Sequence, residues 1–167
     1  MTALTLGFMP LTDCAPLLVA REMGFFAAEG LSVTLSREAS WATIRDKVIF
    51  GALDGAHMLG PMAIAATLAA DRPSAAMIAP MALNRNGAGI TVSSDLAAAM
   101  RSASLSNVVA ARRANGEPPL TFAVVFPYSI HNYALRGWLA ATGVDPDGDV
   151  AIVVVHLNFV GPLLIPD

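Results

Sequence analysis

Residues 39–61, ASWATIRDKVIFGALDGAHMLGP, constrain the fold of this chain more than any other stretch. Ser40 is a helix-capping residue type and stands directly before Trp41. From Trp41 onward, Ile44, Val48 and Ala52 recur every three or four positions, which predicts a helix with one buried face, weakened at its end by Gly51. Residues 55–59 read as a short strand, apolar except for His57. Pro61 then opens a further helix over residues 62–70, at the position that tolerates proline. A helix N-terminus, an aromatic ring and an imidazole therefore border one mouth. Unpaired backbone N–H groups and the positive end of the helix dipole suit such a mouth to a small anion.

The same alternation of strand and helix runs through the rest of the chain. Residues 4–9 form an apolar run closed by Pro10. Thr12 or Asp13 is placed to cap a helix that buries Leu17, Leu18, Val19 and Met23 and stops at Gly24. A second strand follows over residues 32–35. Residues 74–83 read as a fourth strand, with Pro80 confining it to an edge or an end. After a turn-rich loop, Asn84 to Gly89, come a short strand over residues 90–92 and a helix capped by Ser93 or Ser94. The polar stretch 101–119 reads as a surface helix plus linker. Beyond it lie a strand over residues 120–126, a helix carrying Tyr133, Leu135, Trp138, Leu139 and Ala141, and a strand over residues 150–155. Such βα units predict an α/β fold with mostly parallel sheets in two lobes. The expected division is lobe one over residues 1–100, a linking surface segment over 101–119, part of lobe two over 120–155 and an atypical tail over 156–167.

Ligands of open α/β sheets sit beyond the carboxyl ends of the strands. That rule gathers residues 10–13, Ser40 and Trp41, residues 57–60, residues 86–89 and residues 129–132 as candidates. Each has a plainer reading. Trp41 can cap a hydrophobic helix face, and His57, within an apolar strand, can bond to a neighbouring loop. His131 follows a strand-Pro-Tyr-Ser elbow, where a donor aimed into a cleft is natural. A neutral imidazole donates one hydrogen bond and a protonated one two, so anion affinity is expected to rise at mildly acidic pH.

Composition narrows the function. The chain has 167 residues, 55% of them apolar, and a mean hydropathy of +0.59. It still lacks the roughly 18–20 uninterrupted apolar residues of a membrane span. A net charge of −3 and the absence of a Lys/Arg cluster interleaved with aromatics argue against direct nucleic-acid binding. The single Cys14 has no partner for an internal disulfide and reads as a packing residue. No basic-then-apolar leader opens the sequence, so a cytoplasmic location is expected, or a periplasmic one if the start is misassigned. There is no G-x-S-x-G elbow, no metal-ligand spacing among the histidines, and no third glycine after Gly87-Ala88-Gly89. A binding protein without metal or cofactor is expected, and not an enzyme.

Four segments carry a resemblance: LGFMPLTDCAPLLVAREMGFFAAEGLSV, ASWATIRDKVIFGALDGAHMLGPM, LNRNGAGITVS and FAVVFPYSIHNYALRGWLAATGVDPDGDV. Their order resembles the nitrate/bicarbonate-binding family of periplasmic-type substrate-binding proteins. The resemblance implies class II periplasmic-binding-protein lobes. It also implies an oxyanion pocket lined by Trp41, by Gly87, Ala88 and Gly89, and by His131 with Asn132, to which Thr12, Ser40 and His57 are added as flanking candidates. The chain departs from the family at Ala88, where nitrate binders tend to offer an amide. Family members are also more than twice as long, and residues 156–167 do not resemble their continuation. A truncated or frameshifted chain with weak or no nitrate binding is the resulting expectation. Without a leader, the resemblance points to the branch of cytoplasmic nitrate/nitrite sensors that sequester an RNA-binding antiterminator regulator. The alternative is the binding component of an ABC transporter for nitrate, bicarbonate or a sulfonate-like anion.

Overall fold

The computed structural model describes residues 1–70, 74–85 and 88–155. The chain divides into two compact units, Met1–Gly87 and Ala88–Asp167.

In the first unit, β1 (Thr2–Phe8), β2 (Leu31–Arg37) and β3 (Gly55–Ala56) form a parallel sheet in the order β2-β1-β3. β1 is central and aligns with β2 from Thr2↔Leu31 to Phe8↔Arg37, while Leu6 and Gly7 face Gly55 and Ala56. Gly7 in β1 leaves room for Leu53: a Cβ there would stand 2.6 Å from Leu53 Cδ1, so that side chain would have to shift. Between β1 and β2 run a 3₁₀ turn (Thr12–Cys14), α1 (Ala15–Glu22) and α2 (Phe25–Ala28). Neither Thr12 nor Asp13 caps a helix with its side chain. Pro16 occupies the first turn of α1 and has no N–H to satisfy, so the helix starts without that cap. The Asp13 carboxylate is thereby released for other contacts.

Ser40 does cap α3 (Trp41–Ile49), accepting from the Thr43 backbone N–H at 3.1 Å. Trp41 and Ile44 are buried. Ala52 is not part of that face: the helix has already ended at Ile49, and Gly51 carries the chain away at φ +72°. β3 is shorter than expected, since Gly60 and Pro61 start α4 (Gly60–Thr67), but the His57 N–H still donates to the Gly7 carbonyl at 2.9 Å. The strands expected at 74–83 and 90–92 do not form among the described residues. Pro80 offers no ladder donor, and Ile78 and Met81 are exposed.

The second unit contains α5 (Ser94–Ala99), α6 (Leu105–Ala114), β4 (Thr121–Val124), α7 (Ile130–Ala141) and β5 (Ala151–Val154), with β4 and β5 parallel from Thr121↔Ala151 to Val124↔Val154. Its core joins Leu105 and Val109 of α6 to Phe122 and Val124 of β4, Leu135 and Leu139 of α7, and Val144 and Val150. Trp138 meets Phe122 edge-on at 6.2 Å. The stretch 101–119 is thus no linker: Leu105 and Val109, four residues apart, bury one face of a helix capped by Ser104. The division between units falls upstream of it, at Gly87/Ala88. In α7 the buried positions are Asn132, Leu135 and Leu139, whereas Tyr133 and Ala141, expected on that face, are exposed. Residues 156–167 lie outside the described part. No helix among the described residues is long and apolar enough to cross a membrane.

Candidate functional site

Three segments leave the carboxyl ends of the parallel strands of the first unit and bring their side chains together. The turn after β1 supplies Asp13, the start of α3 after β2 supplies Trp41, and the residue after β3 is His57. Trp41 and His57 are each 4% exposed, and their rings meet edge to face with centroids 5.2 Å apart at 71°. His57 Nε2 lies 3.1 Å from Asp13 Oδ2, and that same oxygen accepts from Asn84 Nδ2 at 3.1 Å. Trp41 Nε1, His57 Nδ1 and Asp13 Oδ1 are buried and find no hydrogen-bond partner among the described residues. Burying polar atoms without partners is costly, and three such atoms stand in this one cluster.

An ion pair between the buried Glu38 and the partly exposed Lys47 ties α3 to the end of β2. Glu38 follows β2 and is 4% exposed; Lys47 Nζ reaches its two oxygens at 3.0 and 2.8 Å, and Ser36 Oγ donates to it at 2.7 Å. Burial, the largest influence, pushes the Glu38 pKa up, but the bonds from Lys47 and Ser36 and the Lys47 charge outweigh it and hold the carboxyl below its ordinary value. The last turn of α3 is thereby fastened to the end of β2, which fixes the direction in which Trp41 leaves the sheet.

The other expected residues are placed differently. Ser40 spends its hydroxyl on the cap, and Thr12 is exposed within the 3₁₀ turn. Gly87 lies outside the described residues, and Ala88 and Gly89 are exposed and belong to no element. In the second unit, His131 is exposed in the first turn of α7, and Asn132 is buried beside it. Ser129 caps this helix by accepting from the Asn132 N–H at 3.1 Å; Asn132 Nδ2 donates to the Pro127 carbonyl at 2.7 Å, leaving Oδ1 buried and without a partner among the described residues. The structure thus unites Trp41 and His57 in one cluster and places His131 and Asn132 together in the other unit. Asp13 falls within the candidate turn 10–13 but was read there only as a possible helix cap, and Asn84 was missed as a site residue. The signal for Asp13 was Pro16 three residues on, which removes its use as a cap; nothing local marks Asn84.

Another concavity of about 290 Å³ in the second unit is lined by Arg112, Arg113, Glu117 and Asp149 among others. Arg112 already bonds the Pro118 carbonyl and pairs with Glu117, and Arg113 bonds the Gly148 carbonyl and Asp149. Both of its cations are thus paired with carboxylates of the same unit. The described residues hold no group of three His, Cys, Asp or Glu that could bind a metal ion.

Comparison with known proteins gives this cluster its context. The model of the NMT1-like family matches residues 1–158. The chain belongs to this family. It is 41% identical over 155 residues to the nitrate import ATP-binding protein NrtC of Synechocystis, covering 90% of this chain and 22% of that protein. It is 39% identical over 168 residues to the bicarbonate transport ATP-binding protein CmpC of the same organism, covering 95% and 23%. The crystal structure of the periplasmic nitrate-binding protein NrtA from Synechocystis superposes with a TM-score of 0.79 at 34% identity, over 95% of this chain and 43% of that one. The chain is thus homologous to nitrate- and bicarbonate-binding proteins and shares their α/β fold with parallel sheets, and it spans less than half the length of each of these relatives.

Proposed function

We propose that this member of the NMT1-like family binds a small oxyanion, nitrate or nitrite in the first place, as a substrate-binding part of an ABC transport system. One observation carries the reading: the indole N–H of Trp41, a pure donor, is buried at the start of α3 without an acceptor among the described residues. An anion with acceptor oxygens satisfies that donor and meets the positive end of the helix dipole. The family resemblance, rather than any contact in the structure, supports Gly87, Ala88, Gly89, His131 and Asn132 as further anion contacts. The role is binding and not catalysis, and needs no metal or cofactor. The names of the relatives, which concern nitrate import, bicarbonate transport and nitrate binding, support transport over a cytoplasmic sensor with an antiterminator partner. A periplasmic location goes with the first reading and a cytoplasmic one with the second, and fractionation of the producing cell separates them.

Titration calorimetry with nitrate, nitrite, bicarbonate and methanesulfonate tests the ligand. Binding of nitrate or nitrite that disappears in Trp41→Phe and weakens in His131→Ala is the expected result. Equal heats from wild type and Trp41→Phe would remove the proposed site, and preference for bicarbonate or methanesulfonate would move the assignment to the other anion classes.

A further inference from the structure

The proposed oxyanion contact uses Trp41 and leaves unexplained why a carboxylate and an imidazole stand behind it. Asp13 Oδ2 gathers two nitrogens, His57 Nε2 and Asn84 Nδ2, each at 3.1 Å. A carboxylate only accepts, so the proton of the neutral imidazole belongs on Nε2, and the buried Nδ1 is left as an acceptor. Fixed in this way from its far side, the imidazole cannot turn over, and its ring meets the Trp41 indole at 71° with centroids 5.2 Å apart. Both rings are nine-tenths buried or more, so the orientation of one limits that of the other.

We infer that Asp13 is a positioning residue: by holding His57 in the Nε2–H form against Trp41, it sets the direction in which the indole N–H points and thereby its strength as an anion donor. The chain of contacts joins three segments far apart in sequence, the turn after β1, the residue after β3 and the start of α3, at one end of the sheet. It is also tied, through Asn84, to the segment just before the boundary of the first unit at Gly87. A partner that only orients another group acts through geometry, and removing it leaves the donor present but misdirected.

The inference rests on the oxyanion reading for its consequence and on the geometry for its substance, and the test separates the two. The full chain, labelled with ¹⁵N in histidine and tryptophan, is compared with Asp13→Asn, whose side chain keeps the size and loses the charge. In the wild type, the imidazole nitrogens of His57, assigned with His57→Gln, are expected to show the proton on Nε2. In Asp13→Asn, that pattern changes and the Trp41 indole resonance moves, while the Trp138 resonance stays in place. Nitrate affinity falls by about tenfold, the scale on which orienting partners of an imidazole act. A wild-type proton on Nδ1, or an unmoved Trp41 resonance in Asp13→Asn, overturns the inference. If the resonances change as expected but the wild type binds no nitrate, the positioning role stands and the oxyanion reading falls. If nitrate binds both proteins equally, the oxyanion reading stands and the positioning role falls. Should Asp13→Asn fail to fold, the wild-type proton position still tests the inference, which a proton on Nδ1 overturns.

Discussion

A buried donor without an acceptor costs a folded protein about 1–3 kcal/mol, and among the described residues Trp41 Nε1 is such a donor. Trp41→Phe removes the polar atom and keeps most of the ring, so thermal stability is expected to stay within about 1 kcal/mol of wild type while oxyanion binding is lost. Differential scanning calorimetry beside a binding titration checks both halves. Glu38 leads to a pH prediction. Its carboxyl is held below its ordinary pKa, so its contribution to stability is present above the unfolded-state value of about 4.3 and is lost as pH falls through the lower folded-state value. Lys47→Met leaves a buried carboxylate without its cation. The cost is about 1–2 kcal/mol, moderated because the Lys47 side chain is 43% exposed, and burial then raises the Glu38 pKa. Urea denaturation between pH 3 and pH 7 is expected to show the acid loss attributable to Glu38 in the wild type and its absence in the variant.

Among the elements, the hydroxyl caps anchor both expected site helices. Ser40→Ala and Ser129→Ala each remove an acceptor from a helix N-terminus, with an expected loss of about 1 kcal/mol in denaturant titrations. The Ser129 substitution is expected to cost the more, because Ser129 is fully buried. These caps were legible in the sequence because a cap is a local pattern, a serine followed by residues of helical spacing. The start of α1 was not, since Thr12 and Asp13 look like caps until the proline in the first turn is given its weight. A surface helix was expected within 101–119 and α6 lies there, but its polar composition hides Leu105 and Val109, which become a core face only at helical spacing. The absent strand at 74–83 shows the converse, since an apolar run with Pro80 in it has no claim on a ladder partner.

Across the whole molecule, the alternation of strands and helices made the α/β class and the parallel pairing readable, whereas the division between units was not. Local composition places a break in the polar stretch 101–119, but packing decides it, and the break falls at Gly87/Ala88. The same holds for the site. Trp41 and His57 were visible as residue types near strand ends, but Asp13 and Asn84 join them across a separation of 71 residues that no local pattern encodes. The first unit also exposes Phe50, Ile64, Leu68, Ile78 and Met81, with Ile64 on α4 one turn before Leu68 at its C-cap. Apolar surface of this kind favours association, so apparent mass in size-exclusion chromatography coupled to light scattering is expected to rise with loading concentration. A mass that stays at 17.3 kDa throughout would contradict this.

The central claim is that Trp41 is the oxyanion donor, and a nitrate titration of the ¹⁵N-labelled chain tests it most directly. The chain has two tryptophans, hence two indole N–H resonances to follow. The account predicts that the Trp41 resonance moves and saturates with nitrate, at millimolar concentration if binding is weak, while the Trp138 resonance stays in place. A Trp41 resonance that holds its position through the titration would contradict it.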